Sequence, residues 1–266
     1  MSDIHSTAIV DPGAKLGKDV VIGPFCTIGP NVVLGDGVEL VSHVVVDGHT
    51  TIGSQTRVFP FACLGLRPQD LKYRGEPSTL EIGSNCMIRE YVTMNPGTQG
   101  GGMRTAVGDE CLLMACVHIA HDCVLGNNVI LANAVLLAGH VIIEDNVRIG
   151  GMSAVNQFVS IGAHAFIGGM TGVERNVIPH GRVVGERGEL RGINVVGLQR
   201  RNIEKQEIRA VRGVYKKLFN SDLSLSDAVT AADDEFGSYQ SAQEVVGFAR
   251  RHLQEGLLGG RDDSDD

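Results

Sequence analysis

The chain of 266 residues carries a formal net charge of −8, which argues against a nucleic-acid-binding protein because such proteins are normally basic. It has no run of 18 or more apolar residues and no signal-peptide pattern at its N-terminus, so we expect a cytoplasmic protein without a membrane span. Its six cysteines include no Cys-X-X-Cys pair, which favours a reducing compartment. With 35 glycines, 5% aromatic residues and no Trp, the composition suits a repetitive β architecture better than a helical bundle.

An aliphatic residue recurs at every sixth position over residues 4–64, 82–94 and, after a shift of phase, 107–173. A period of six fits neither the 3.6 of an α-helix nor the alternation of a plain strand. It is typical of a β-helix in which three hexads close a triangular coil of 18 residues. We therefore predict a parallel β-helix over residues 1–190 with these side chains inward. Four cysteines share the small inward-facing position and are expected to be core thiols: Cys26, Cys86, Cys111 and Cys123.

Two segments interrupt the repeat and are predicted to project from the β-helix as loops, residues 66–81 and residues 95–104. Structureless loops of this length inside a repeat are often functional. The second loop contains the run Gly100–Gly102, which we interpret as a source of flexibility because it is not part of a phosphate-binding loop motif.

The hexad pattern ends near residue 179, and an α-helical domain is predicted over residues 191–258. Its helices are expected at 199–219, 226–236 and 241–255, followed by a disordered acidic tail at 259–266. The first predicted helix has a net charge of +5 in an acidic protein. That face is either simply solvated or a docking surface for an acidic partner or a phosphate.

The densest polar cluster in the sequence is His118, His121 and Asp122. In a coil of 18 residues each position lies beneath the one 18 residues later, about 4.8 Å away. Asp122 then lies under His140, and His121 lies under Gly139. We expect four side chains to share an outward-pointing face near one corner: His121, Asp122, His140 and Gln157.

Three interpretations of this cluster are open. The imidazoles are solvated surface groups, or they bind a metal, as three histidines bind zinc in the γ-class carbonic anhydrases that this β-helix resembles. Alternatively, one histidine is a general base held in its tautomer by Asp122. No Ser or Cys stands out beside the cluster as a nucleophile, which favours direct transfer to a bound alcohol.

Five segments of the sequence resemble the bacterial acyl-carrier-protein–UDP-N-acetylglucosamine O-acyltransferase family: DLKYRGEP at 70–77, HIAHDC at 118–123, LAGHV at 137–141, GGMSAVNQF at 150–158 and GINVVGLQRR at 192–201. The resemblance implies a left-handed parallel β-helix with an α-helical C-terminal domain. It also implies a homotrimer with active sites between subunits, and no metal or cofactor. The implied reaction is transfer of a (3R)-3-hydroxyacyl chain from acyl carrier protein to the 3-hydroxyl of UDP-N-acetylglucosamine, the first step of lipid A synthesis.

The resemblance also implies roles for individual residues. His121 is the base, Asp122 lies beside it, and the Gly139 N–H is the oxyanion donor. The amino sugar and acyl group are held by Asp70, Lys72, His118 and His140. The nucleotide lies near Gln157, Asn194, Arg200 and Arg201. Gly169 closes the acyl groove and, having no side chain, admits a long chain. Acyl carrier protein is acidic and would be the partner of the basic helix.

The sequence departs from the family at three positions: Asn95 and Asn156 stand where His is common, and Val196 where an acidic residue is common. Asn95 motivates the hypothesis that the acceptor is a 3-amino sugar and the product an amide. Two alternatives remain for the function of the protein: another hexapeptide acyltransferase, or a β-helix that serves only as a scaffold.

Overall fold

A computed structural model describes residues 2–259, so the predicted acidic tail lies outside the described residues except for its first position. Within this part of the chain, short strands form three sheets of eleven, nine and eight strands. Nearly all strand pairs are parallel, and the three sheets are the faces of a triangular prism. The last pair, β27 (Gly181–Val184) with β28 (Glu189–Ile193), is antiparallel.

The eleven-stranded sheet contains β1 (Asp3–Ile4), β4 (Val21–Ile22), β7 (Glu39–Leu40), β10 (Arg57–Val58), β13 (Met87–Ile88), β16 (Leu112–Leu113), β19 (Ile130–Leu131), β22 (Arg148–Ile149), β25 (Phe166–Ile167), β27 (Gly181–Val184) and β28 (Glu189–Ile193). The nine-stranded sheet contains β2 (Ile9–Val10), β5 (Thr27–Ile28), β8 (Val45–Val46), β11 (Cys63–Leu64), β14 (Thr93–Met94), β17 (His118–Ile119), β20 (Leu136–Leu137), β23 (Ala154–Val155) and β26 (Gly172–Val173). The eight-stranded sheet contains β3 (Lys15–Leu16), β6 (Val33–Leu34), β9 (His49–Ile52), β12 (Thr79–Ile82), β15 (Arg104–Val107), β18 (Val124–Leu125), β21 (Ile142–Ile143) and β24 (Ser160–Ile161).

The register follows the hexad repeat. Where no loop intervenes, a residue pairs with the one 18 positions later, as Ile22 does with Leu40. The glycine after each inward aliphatic is required by the stacking: a Cβ on Gly23 would lie 1.8 Å from the carbonyl oxygen of Val41. The inward aliphatics are fully buried from Ile22 onward, whereas Ile4 is 44% exposed because no coil lies beneath the first one.

All six cysteines of the chain are free thiols. The four that were predicted to be core thiols are buried. Cysteine here fills the small inward position that Val or Thr occupies in other coils.

Both projecting loops are present. The first runs from the end of β11 at Leu64 to the start of β12 at Thr79. The predicted span of 66–81 is therefore too long, because Thr79–Glu81 pair with β9 and β15. The second loop joins β14 to β15 and contains a short 3-10 helix, Gln99–Gly101.

The C-terminal region has four helices among the described residues: α1 (Val195–Arg200), α2 (Lys205–Phe219), α3 (Leu225–Phe236) and α4 (Gln240–Arg251). The prediction of one helix over 199–219 is wrong. Asn202 has φ +57°, in the left-handed region, and its N–H bonds back to Gln199, so α1 ends before α2 begins. The last helix ends at Arg251, earlier than residue 255, because the N–H of His252 bonds to Ala249 instead of continuing the α-helical pattern. Among the described residues, no helix has the length and apolarity needed to cross a membrane.

Candidate active site

Asp122 lies at a corner of the prism, in the turn after β17, and its backbone φ is +61°. The sequence predicted that this side chain shares an outward-pointing face near one corner, but it did not predict that another part of the chain covers it. Asp122 is only 5% exposed, because the second projecting loop folds over it. A carboxylate buried in this way must be hydrogen-bonded if it is to remain ionised.

Thr98, from that loop, supplies the hydrogen bonds. Its backbone N–H donates to Asp122 Oδ1 at 2.8 Å and its hydroxyl donates to Oδ2 at 2.6 Å. Thr105 Oγ1 accepts from the Asp122 N–H at 2.8 Å. Both carboxylate oxygens are therefore engaged by donors, which stabilises the anion.

Gly101 packs directly against the carboxylate. A Cβ at this position would lie 2.0 Å from Asp122 Cγ, which is not sterically possible. The glycine run was interpreted as a flexible element, but Gly101 is needed for a close approach. Gly100, its neighbour, has no atom within 4 Å of where a Cβ would stand.

His121 lies next to this carboxylate, with its Nδ1 2.8 Å from Asp122 Oδ2. Because an ionised carboxylate can only accept, Nδ1 carries the proton and Nε2 keeps a free lone pair. The His121 side chain is 15% exposed. The arrangement can hold a neutral imidazole in one tautomer and stabilise it once it is protonated, as general-base catalysis requires.

His140 lies one coil above, as the register predicts. Its ring meets His121 edge to face at 5.0 Å and stacks on Phe158 at 4.5 Å. Its Nδ1 is 3.8 Å from Asp122 Oδ2, too far for a hydrogen bond. Burial lowers the pKa of His140, with the Asp122 charge opposing this effect, and the first-loop residues Asp70 and Lys72 lie within electrostatic range of its ring.

A metal ion is the competing use of this corner. One ligand atom from each of three residues, His121, Asp122 and His140, lies within 4.8 Å of the others. However, the carboxylate oxygens already accept hydrogen bonds from Thr98, and one of them faces the Nδ1 of His121. This donor set fits a hydrogen-bonded dyad better than a coordination sphere.

Gly139 and His118 border the dyad. A Cβ on Gly139 would lie 2.6 Å from His121 Cε1, so only glycine fits above that ring. Within residues 2–259 the Gly139 N–H has no hydrogen-bond acceptor, and it is free to donate to a ligand. His118 Nδ1 lies 2.7 Å from the Thr93 hydroxyl, and burial, followed by the proximity of His121, lowers its pKa.

The other predicted residues lie elsewhere. Asn194, Arg200 and Arg201 line a cavity of about 740 Å³ that shares no lining residue with the His121 corner. Gln157 is exposed beyond His140, and its N–H bonds to the side chain of Asn156. Gly169 is exposed and does not line the cavity, and a Cβ there would have only backbone atoms of Gly151 within 4 Å.

The sequence did not identify several residues of this cavity, namely Arg148, Arg182 and His164. Arg148 and Arg182, together with Arg200 and Arg201, make a strongly cationic lining that suits a phosphate-bearing ligand. Burial, and then the neighbouring Arg201, lower the pKa of His164 to about 4. The three residues face outward at hexad positions where charged side chains are ordinary, so the sequence carried no signal for them.

Two family models match the chain. Residues 176–258 match the family described as UDP-N-acetylglucosamine O-acyltransferase, domain 2. Residues 13–48 match the bacterial transferase hexapeptide family, six repeats.

Curated relatives extend the match to most of the chain. An acyl-(acyl-carrier-protein)–UDP-N-acetylglucosamine O-acyltransferase from Rhizobium johnstonii is 47% identical over 92% of this chain and 90% of its own. One of the same name from Chlamydia caviae is 45% identical over 98% and 94%. A solved structure of LpxA from Acinetobacter baumannii is 41% identical, with a TM-score of 0.94 over 96% of this chain and 99% of that chain. The predicted fold, a left-handed parallel β-helix with a C-terminal α-helical domain, is confirmed.

Proposed function

Because the chain belongs to the acyl-(acyl-carrier-protein)–UDP-N-acetylglucosamine O-acyltransferase family, we propose that it transfers a (3R)-3-hydroxyacyl chain from acyl carrier protein to the 3-hydroxyl of UDP-N-acetylglucosamine. The reaction is the first step of lipid A synthesis and takes place in the cytoplasm. The observation that carries the catalytic part of the proposal is the His121–Asp122 dyad, with Nε2 of the histidine free to accept a proton.

In the proposed mechanism, His121 Nε2 removes the proton of the sugar's 3-hydroxyl as its oxygen attacks the thioester carbonyl. The C–O bond forms, and the carbonyl oxygen becomes an oxyanion within reach of the free Gly139 N–H. Asp122 stabilises the imidazolium. The intermediate then expels the thiolate of acyl carrier protein as the C–S bond breaks, and the proton on His121 passes to that sulfur.

The substrate is held by residues of two surfaces. Asp70 and Lys72 of the first loop, with His118 and His140, hold the sugar and the thioester end of the acyl chain. The cationic cavity of Asn194, Arg200 and Arg201 takes the nucleotide, since two guanidinium groups suit a diphosphate. Gln157 lies beside the nucleotide, and Gly169 sets the acyl length.

We propose a homotrimer in which one subunit supplies the dyad and its neighbour the nucleotide cavity. Two observations support it. The cavity and the dyad share no residue in one chain. In addition, exposed apolar side chains follow one corner of the prism: Phe25, Phe61, Tyr91, Met152 and Met170. A corner rich in exposed apolar side chains is typical of a surface that another subunit covers.

Acyl carrier protein docks on the basic face of α2, where four cations are exposed: Lys205, Arg209, Arg212 and Lys216. Opposite charges on the two partners would speed their encounter.

The 3-amino acceptor is the second candidate. Asn95 is 6% exposed and its amide nitrogen donates to the carbonyl of Leu66 at 3.0 Å, so it holds the first loop in place. That contact gives the residue a structural role that needs no amino sugar, while its Oδ1 is buried without a hydrogen-bond partner among residues 2–259. The relatives, moreover, are named O-acyltransferases.

The test is a transfer assay with (3R)-3-hydroxyacyl carrier protein and an equimolar mixture of the 3-hydroxyl and 3-amino nucleotide sugars, with products identified by mass spectrometry. An ester as the main product supports the proposal. A main product that is an amide establishes the second candidate instead, and no acylated sugar at all contradicts both.

A further inference from the structure

Helix α4 of the C-terminal domain contacts the last coils of the β-helix through a hydrogen bond to a histidine and through an ion pair. Glu244 Oε2 lies 2.8 Å from Nε2 of His180, whose side chain is 1% exposed. Arg251 pairs with Glu144 at 2.7 Å on the surface. The two contacts differ in the residues of the β-helix that adjoin them.

His180 is held by its contact with Glu244. Its Nδ1 is buried and has no hydrogen-bond partner among residues 2–259. The ring stacks on His164 with centroids 5.3 Å apart and planes 5° from parallel. His164 lines the cationic cavity. Without Glu244, both ring nitrogens of His180 would be buried without a partner, a costly state that the ring can relieve only by moving.

The backbone of His180 is also the anchor of α1. Its carbonyl accepts from the Asn194 N–H at 2.6 Å. The Asn194 side chain accepts from the N–H of Gly197 at 3.0 Å, which caps α1, and donates to the carbonyl of His164 at 3.2 Å. A continuous set of contacts therefore leads from Glu244, outside the cavity, to the helix whose last turn carries Arg200.

We propose that Glu244 is a positioning residue for the nucleotide: through His180 and Asn194 it fixes α1 so that Arg200 and Arg201 meet the diphosphate in the right geometry. This inference rests on the proposed function of the cavity. It makes the C-terminal domain part of the nucleotide site and not only a cover for the end of the β-helix. Guanidinium–phosphate pairing is directional, so a small shift of α1 weakens binding.

Three variants test the proposal: Glu244→Ala, Glu244→Gln and Arg251→Ala. The glutamine keeps an oxygen that accepts from His180. The Arg251→Ala variant removes the ion pair of the same helix with Glu144 and has no connection to Asn194, so it reports on domain docking alone. Circular dichroism and the oligomeric size of each variant check that the protein is folded.

The measurements are UDP binding by calorimetry and steady-state kinetics with each substrate varied in turn. For Glu244→Ala we expect the Kd for UDP and the KM for the nucleotide sugar to rise about tenfold, as loss of one positioning hydrogen bond to a charged group allows. The kcat and the KM for acyl carrier protein should stay within about twofold. Glu244→Gln should recover most of the affinity, and Arg251→Ala should resemble wild type.

Two outcomes overturn the inference: unchanged UDP affinity in Glu244→Ala, or an equal loss in Arg251→Ala, which would mean that α4 acts only through docking. These outcomes are distinguishable from failure of the proposed function. If the proposed function fails, the wild type transfers no acyl chain, but the UDP titration still compares the affinities of the variants. A wild type that does not bind UDP contradicts both proposals.

Discussion

Thr98, in the second projecting loop, donates two hydrogen bonds to Asp122, at a corner of the β-helix. One comes from its backbone N–H and the other from its hydroxyl. Asp122 is in turn 2.8 Å from Nδ1 of His121. The loop therefore fixes the carboxylate, the carboxylate fixes the histidine tautomer, and the free Nε2 is the atom available to take a proton.

Replacing Thr98 by Val should lower kcat by about 10- to 100-fold, because a hydrogen bond to a charged group contributes about 1.5–3 kcal/mol. The KM for either substrate should change little, since Thr98 is only 4% exposed and its hydroxyl bonds to Asp122. Thr98→Ser keeps the hydroxyl and should retain most of the activity. If Thr98→Val and Thr98→Ser have equal kcat, the hydroxyl does not act on the dyad.

Gly101→Ala should reduce kcat about 10²-fold, since the added Cβ must displace the Asp122 carboxylate or the loop, and a displacement of about 1 Å has that effect in active sites. Gly100→Ala is the matched control because the added methyl group meets nothing within 4 Å. It should behave as wild type. Equal losses in both variants would show that loop flexibility, and not the close contact, explains the glycines.

His164 should make the protein less stable in acid. Burial and Arg201 lower its pKa to about 4, so between an unfolded-state value near 6.5 and pH 4 the unfolded chain binds a proton that the native state does not. The contribution of His164 to the free energy of unfolding is therefore complete above about pH 6.5 and decreases as the pH falls.

The matched variant is His164→Asn, because Asn128 and Asn146 occupy the same corner position in earlier coils with similar positive φ. In urea unfolding at fixed protein concentration, the drop in unfolding free energy from pH 7 to pH 5 should be smaller in this variant by about 1 kcal/mol, after allowing for partial solvent exposure. An unchanged drop would mean that His164 titrates normally in the native state.

Gly169→Met should move the acyl preference towards shorter chains. The glycine is exposed and a Cβ there would meet only the Gly151 backbone, at 3.2 Å, so a long side chain would extend from this position towards the proposed path of the acyl chain. If the methionine side chain displaces two or three methylenes of the acyl chain, kcat/KM for the longest chain should fall by at least about tenfold, given about 0.8 kcal/mol per buried methylene. The wild type should favour a long chain over one of ten carbons. A wild type that prefers ten carbons or fewer would contradict the assignment of Gly169.

The fold was predictable because a period of six dictates which side chains face inward, and the pairing of Asp122 with His140 followed from the register alone. Burial of Asp122 did not follow, since the second loop lies outside the period and its contacts have no register. For the same reason, the sequence did not reveal the contact of Thr98 with Asp122. The break between α1 and α2 depends on one Asn in a left-handed conformation, which the sequence pattern does not reveal.

The most direct test of the account is acyl transfer by wild type and His121→Ala side by side, each with and without EDTA. We expect His121→Ala to lose at least ~10²-fold in kcat, as removal of a general base does, and the chelator to leave the wild-type rate unchanged. Loss of wild-type activity with EDTA would establish a metal at the three-residue corner. A His121→Ala rate within about tenfold of wild type would contradict the assignment of His121 as the base.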